Sequence, residues 1–280
     1  MLKLLSALVL CFTVNAQAQP IKLVVPYPVG GGTDILTRYF EAKLKDKVYV
    51  ENKGGASGMI GTDLVVKAKP DGKTLLMGHV TPNGIDPAHF MTPQSNSNRD
   101  LEPIVLVATA RALLVTNKEF PVNTLDEFKA YAKKNVVIYA SDGIGSVADL
   151  KMARTLKGFE TIHSPYKGGA PALQSLLTKE TQILYSPEPV AMAWIKGDKI
   201  KVIPTPSEDD LWWGLFAPRG TDPKVLDYWH KEFANILNEP STKEWMANQG
   251  YNIRLKSRDQ FATFVKKEQD KYRRFDGKNP

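Results

Sequence analysis

Lys22-Leu23-Val24-Val25-Pro26-Tyr27-Pro28-Val29-Gly30-Gly31-Gly32-Thr33-Asp34 decides how this chain is read. Lys22 to Tyr27 is a near-continuous apolar run, the pattern of a strand buried on both faces. Three consecutive glycines follow. Beyond them Ile35, Leu36, Tyr39, Phe40 and Leu44 recur on one side of a helix. Working outward, Val48-Tyr49-Val50 is a second strand. Ile60, Leu64 and Ala68 mark another helix, stopped by Lys69-Pro70-Asp71-Gly72, and Thr74 to His79 is a third strand. The order βαβαβ over residues 22–79 specifies a parallel sheet with right-handed crossovers.

The rest of the chain continues the alternation. Ile104 to Thr109 and Leu113 to Asn117 read as strands, and Thr124-Leu125-Asp126-Glu127 is a capping box opening a helix through Tyr131. Val136 to Ser141 is a strand entering a second glycine-containing turn, Ala140-Ser141-Asp142-Gly143-Ile144-Gly145-Ser146, with a helix from Ser146. Strands at Ile162–Tyr166, Ile183–Ser186 and Ile200–Ile203 alternate with helices over Ala172–Leu177 and Val190–Lys196. Trp212 to Ala217 is strand-like, and three helices close the chain at Pro223–Leu237, Thr242–Asn248 and Ser257–Arg274. Two α/β lobes with a ligand cleft between them are the simplest architecture, since open parallel sheets bind ligands at the carboxyl ends of their strands.

The 280 residues are an ordinary globular mixture, 42% hydrophobic and 24% charged. Lys3, the apolar stretch Leu4 to Val14 and the small-x-small site Ala16-Gln17-Ala18 read as an export signal cleaved after Ala18. The stretch is too short for a membrane span, which needs about 20 residues. The one cysteine, Cys11, lies inside the signal, and Leu8-Val9-Leu10 before it does not resemble a lipoprotein site. The mature chain is therefore expected to have no disulfide and no thiol chemistry, and to be periplasmic or secreted. Of the net charge of +7, Arg254 to Pro280 carries nine Lys/Arg against four Asp/Glu. The basic excess is thus one terminal segment. It reads as a solvated helix face, or more pointedly as a surface for a membrane partner, and no nucleic-acid motif accompanies it.

Two turns have the makings of a binding site. In the first, the glycines let backbone approach a ligand, and the helix after them offers unpaired N–H groups and a positive dipole end to an anion. Thr33 either caps that helix or donates its hydroxyl, and Asp34 is placed to cap as well. The second turn repeats the logic with a serine at the helix start. Neither is a phosphate-binding Gly-Lys-Ser/Thr loop or a full dinucleotide fingerprint. Catalytic motifs do not occur: His79, His89, His163 and His230 are scattered, and no Gly-x-Ser-x-Gly or His-Glu-x-x-His is found. His79 either faces a cleft or is structural, His163 reads as structural, and Trp212 and Trp213 either line a pocket or, beside Gly214-Leu215-Phe216, belong to the core.

Five ordered segments carry a resemblance: PIKLVVPYPVGGGTD (Pro20–Asp34), VYVENKGGASGMIGTDLVVKAKPDGKTLLMG (Val48–Gly78), YASDGIGS (Tyr139–Ser146), HSPYKGGAPAL (His163–Leu173) and WWGLFAPRGT (Trp212–Thr221). With them the chain resembles the solute-binding proteins of tripartite tricarboxylate transporters, the Bug family. The resemblance implies an α/β, type II periplasmic-binding fold that closes like a Venus flytrap. The lobes would be residues 19–107 with 216–280, and residues 108–215. It implies a receptor, not an enzyme, that holds a small carboxylate (an organic, amino or aromatic acid) without cofactor or metal. As a monomer it would deliver this ligand to the permease subunits of such a transporter. Carried over residue by residue, the ligand contacts fall on Tyr27, Gly30, Gly31, Thr33 and Asp34 and on Ser141, Gly145 and Ser146, and the strand end His79-Val80-Thr81 and the segment Tyr185-Ser186-Pro187-Glu188 match positions that face the cleft.

The chain departs from the family pattern where Asp142 and Ile144 replace small or polar residues, and where Tyr185-Ser186-Pro187-Glu188 stands for the usual Phe-Asp-Asn. The stretch between Ile203 and Trp212 is also short, which would alter the rim of the second lobe. If Asp142 and Glu188 face the cleft, they disfavour a second anionic group on the ligand and favour an ammonium or amide. Alternatively Asp142 caps its own turn and Glu188 is solvated. Two rival functions remain: a ligand-sensing adaptor for a signalling partner, and an exported hydrolase using Ser141 or Ser146 beside a histidine.

Overall fold

The computed structural model describes residues 20–85, 97–206 and 211–273. The expected signal, His89 and part of the short Ile203–Trp212 stretch lie outside these residues. In chain order the first part contains β1 (Ile21–Val25), α1 (Gly32–Lys43), β2 (Val48–Asn52), α2 (Met59–Val66), β3 (Thr74–His79), α3 (Val80–Gly84), α4 (Ser97–Asp100) and β4 (Leu101–Ala110). Then come β5 (Ala112–Asn117), α5 (Leu125–Ala132), β6 (Val137–Ser141), α6 (Val147–Thr155), β7 (Thr161–Pro165), α7 (Gly169–Leu177), β8 (Ile183–Pro187), α8 (Glu188–Lys196) and β9 (Ile200–Val202). The last part is β10 (Leu211–Pro218), α9 (Pro223–Asn238), α10 (Pro240–Gln249), β11 (Asn252–Lys256) and α11 (Arg258–Arg273).

These strands make two sheets. The first runs β11-β4-β10-β3-β1-β2 and the second β7-β6-β8-β5-β9. In the first, β1 pairs in parallel with both β2 and β3, as the βαβαβ reading requires. In the second, β6 pairs in parallel with β7 and β8. The chain passes between sheets at Arg111, where β4 gives way to β5, and again between β9 and β10. Both β4 and β10 belong entirely to the first sheet, so the sheet changes lie beyond residue 107 and before residue 216.

Burial follows strand periodicity. Leu23, Val24 and Val25 of β1 are fully buried because helices cover both faces of a parallel sheet. Along β5, Leu113 and Val115 pack in one cluster with Leu173 and Leu176 of α7, while Leu114 between them points into the larger core. The C-terminal helices return to the first sheet: Phe233 of α9 stacks on Phe40 of α1 at 4.5 Å, and Phe261 of α11 packs over β10.

Several elements differ from the sequence expectation, among them the short helices α3 and α4, which no sequence signal marked. The tail holds a strand, β11, between α10 and α11. It pairs antiparallel with β4 at the sheet's outer edge, and its charged, largely exposed side chains hide the strand pattern. Helix α7 starts at Gly169 and not at Ala172. Gly-Ala-Pro reads as loop, yet proline costs nothing in a first helical turn, where its missing N–H would be unpaired anyway.

Candidate functional site

The first turn is held from below by Asp34. Its buried carboxylate accepts from Gly30 N–H (2.9 Å), Asn52 Nδ2 (2.9 Å) and Arg38 Nε (3.0 Å). Gly30 has φ +83°, which only glycine adopts without strain. Gly31 caps α1 without a side chain, so the amides that open α1 have no acceptor within the helix. Thr33 Oγ1 accepts from Trp213 Nε1 at 2.9 Å, which leaves the hydroxyl proton of Thr33 to be donated.

Across this helix end stands the second lobe. Tyr27, Gly31, Thr33, His79 and Trp213 share one small cavity with Asp142, Gly169, Ala170 and Pro187. Gly169 and Ala170 form the opening turn of α7, so the positive ends of two helices, α1 and α7, converge on one space. The lobes are closed over it. Ser57 Oγ donates across the gap to Ile144 O (2.7 Å), and Lys196 Nζ to Asn248 O (3.3 Å). The cavity inside is only about 20 Å³, roughly room for one water. A metabolite therefore needs the lobes further apart than they stand here.

His79 is buried, and burial pushes its pKa down to about 3. Its Nδ1 accepts from Thr81 N–H at 3.5 Å and lies 3.2 Å from the Tyr27 hydroxyl. The neutral ring therefore carries its proton on Nε2. Burial, and after it the Asp142 charge, also raises the pKa of Tyr27 far above the usual value, so the phenol keeps its proton. The depressed histidine has a consequence for folding. Below pH 6.5 the unfolded chain binds a proton that the folded chain refuses down to about pH 3, so stability is lost as the pH falls through that window. His163, lowered mainly by burial, acts in the same direction. Between pH 7 and pH 4.5 the wild type is expected to lose about 2 kcal/mol more than His79→Gln in urea unfolding. Parallel curves for the two proteins would contradict the buried neutral state.

The second turn is satisfied from within. Ser146 Oγ caps α6 by accepting from Asp149 N–H (3.2 Å), and Gly145 N–H donates to Asp149 Oδ2 (2.9 Å). Ser141 Oγ lies 2.7 Å from His163 Nε2 and accepts from Gly143 N–H at 3.2 Å. His163 Nδ1 is 3.5 Å from Asp149 Oδ1, which also accepts from Tyr139 O–H. Serine, histidine and aspartate thus stand in the order of a nucleophile triad. Ser141, however, is completely buried and does not line the cavity, and His163 is stacked flat on Tyr139 at 4.6 Å. The network pins the turn that presents Asp142. Among the described residues no group of three or more His, Cys, Asp or Glu is placed to hold a metal, and no helix is long and apolar enough to cross a membrane.

The model of the tripartite tricarboxylate transporter family receptor matches residues 35–211 and 205–276. The chain belongs to this family. It is 28% identical over 278 residues to Protein BugT of Bordetella pertussis, covering 89% of this chain and 85% of that one. The solved structure of the periplasmic binding protein BugD matches with 28% identity and a TM-score of 0.82, over 90% of this chain and 95% of that chain. The malate-bound MatC of Rhodopseudomonas palustris, at 24% identity and a TM-score of 0.82 over 91% and 98%, shares the fold. The two-sheet architecture is thus that of the Bug-type periplasmic binding proteins. The chain is a solute-binding receptor and not an enzyme, and the Ser141–His163–Asp149 constellation is structural.

In this receptor the residues singled out by sequence divide. Tyr27, Gly31, Thr33, His79 and Asp142 line the cavity. Asp34 and Gly30 shape the loop beneath it. Ser141, Gly145 and Ser146 stabilise the second turn, and Thr81 is buried in α3 beside His79. Ser186 is buried in β8. Glu188, at the start of α8, makes a two-pronged ion pair with Arg111 (2.6 and 2.8 Å) at the chain's crossing between sheets. It packs on Gly250, away from the cavity. Sequence reading missed Gly169 and Ala170 as lining residues, whereas Pro187, in the segment matched to the cleft, and Trp213, open to core or pocket, do line the cavity. The segment HSPYKGGAPAL held the signal for the first two: a glycine pair before a helix, as in the first turn. Trp213 is core on one side, against Tyr251, and cavity wall on the other.

Proposed function

We propose that this receptor captures a small carboxylate-bearing metabolite between its lobes and delivers it to the membrane permease of a tripartite tricarboxylate-type transporter. It would do so as a monomer in the periplasm, after cleavage behind Ala18. The observation that carries the reading is the meeting of two uncapped helix ends, at Gly31 and Gly169, in one interlobe cavity. Backbone amides bind an anion without arginine or lysine, and ordered water can complete the shell. The adipate and malate held by related structures agree with a carboxylate ligand. Closure would be a population shift: a ligand touching both lobes favours the closed state by its differential affinity. Tyr27, Gly31, Thr33 and His79 would hold the ligand from the first lobe. The turn at Gly169 and Asp142 would hold it from the second.

The test is a thermal-shift panel of organic, amino and aromatic acids beside their methyl esters. A ligand that binds only the native state at 100 times its Kd adds about 2.7 kcal/mol and raises Tm. At least one free acid is expected to raise Tm where its ester does not. A panel in which esters and acids behave alike would remove the carboxylate from the reading.

A further inference from the structure

The interlobe cavity contains one buried polar atom that nothing in the protein answers. Asp142 is 7% exposed, lines the cavity, and its Oδ1 has no hydrogen-bond partner. The other carboxylates around the two turns are all engaged: Asp34 by Gly30, Arg38 and Asn52, Asp149 by Tyr139 and Gly145, and Glu188 by Arg111. Among the described residues lining the cavity there is no lysine or arginine to neutralise Asp142. A buried acceptor left unpaired costs free energy that a donor brought by a ligand recovers, whereas a second anion there meets like charge in a desolvated space.

Resting on the reading of this cavity as a carboxylate site, we infer that Asp142 determines specificity. The ligand carries, beside its carboxylate, an ammonium or amide N–H that meets Asp142 Oδ1, and ligands with a second carboxylate at that position are rejected. The carboxylate lies against the α1 and α7 amides and the donor against Asp142, so one small cavity reads both ends of an amphoteric molecule. Rejection comes from the charge at residue 142 and acceptance from the donor it lacks, which are the two halves of a specificity device. In the ligand-free protein burial holds the Asp142 carboxyl above its ordinary range, and a cation beside it restores the charged form.

Two series of probes separate the possibilities by isothermal titration: 4-aminobutanoate, succinamate and succinate, and alanine with methylmalonate. Each series keeps one carboxylate and exchanges an ammonium or amide for a second carboxylate, and the two series place the exchange at different distances. In at least one series the donor-bearing member is expected to bind roughly 30-fold tighter than its dianion, the range for a buried charge pair. Asp142→Asn should cut the affinity for an ammonium member by a similar factor, raise that for the dianion, and raise the ligand-free Tm. Asp142→Ser repeats the test if the asparagine variant fails to fold. Dianions binding as well as the donor-bearing members in both series, or a ranking unchanged in the variants, would overturn the role of Asp142 and leave the receptor reading intact. Failure of every carboxylate, adipate and malate included, would sink the carboxylate site and this inference with it.

Discussion

Gly31→Leu is expected to abolish carboxylate binding while leaving Tm within about 2 °C of the wild type. Gly31 sits at φ −75° and ψ 163°, an extended conformation open to any residue. A Cβ built there comes no nearer than 3.6 Å to the Pro28 carbonyl oxygen, an ordinary contact. The backbone therefore accepts a side chain. The cavity does not, since its open space is close to the size of one water molecule and Gly31 forms part of its wall. A leucine would fill the place where a carboxylate meets the α1 amides and would hold the lobes apart. Calorimetric titration with any acid found in the thermal-shift panel, run beside a thermal melt, reads both quantities. Retained affinity in a folded variant would count against the first turn as the anion cradle.

Gly61→Ala should produce the largest loss of stability, about 2–3 kcal/mol, or roughly 5–10 °C in Tm. Gly61 lies in the first turn of α2. By helix propensity alone alanine would be favoured there by about 1 kcal/mol. Packing reverses the sign. An added Cβ would stand 2.7 Å from Pro26 Cα and 2.8 Å from the Lys53 carbonyl oxygen. Backbone atoms on both sides cannot swing away as a side-chain tip can. Helix α2 must move off the end of β1, and Pro26 leads directly into Tyr27 and the glycine turn. Ligand affinity should therefore fall together with stability. A denaturant curve for Gly61→Ala that overlays the wild type would show that the close approach at Pro26 is not as tight as described.

Strand β1, its glycine turn and α1 were legible because each signal is local: an apolar run, three glycines, then helical periodicity. The parallel order of β2, β1 and β3 followed from connection rules that need no contacts. What escaped depends on partners distant in the chain. Trp213 was open to core or pocket, and the choice is made by Thr33, distant in the chain, which accepts from its indole N–H. Gly169 and Ala170 were hidden by a proline that looks like a helix breaker and sits where a helix tolerates one. Asp34 was open to capping the helix or meeting the ligand, and its bonds to Arg38 and Asn52 beneath the turn join segments that no local spacing links. Glu188 was open to a cleft or a solvated position, and its ion pair with Arg111, at the crossing point of the chain, is a third arrangement that sequence spacing does not encode. The isolation of Asp142 is a property of a closed cavity, and no spacing in a sequence encodes it.

The most direct measurement follows the backbone amides themselves. In a ¹H–¹⁵N correlation titration with a binding carboxylate, the amides of Gly31, Gly32, Thr33, Gly169 and Ala170 should shift together and saturate at one common Kd. Saturation that leaves those five unmoved, with the shifts gathered instead around the surface pocket of Arg219 and Arg258, would contradict the two-helix cradle.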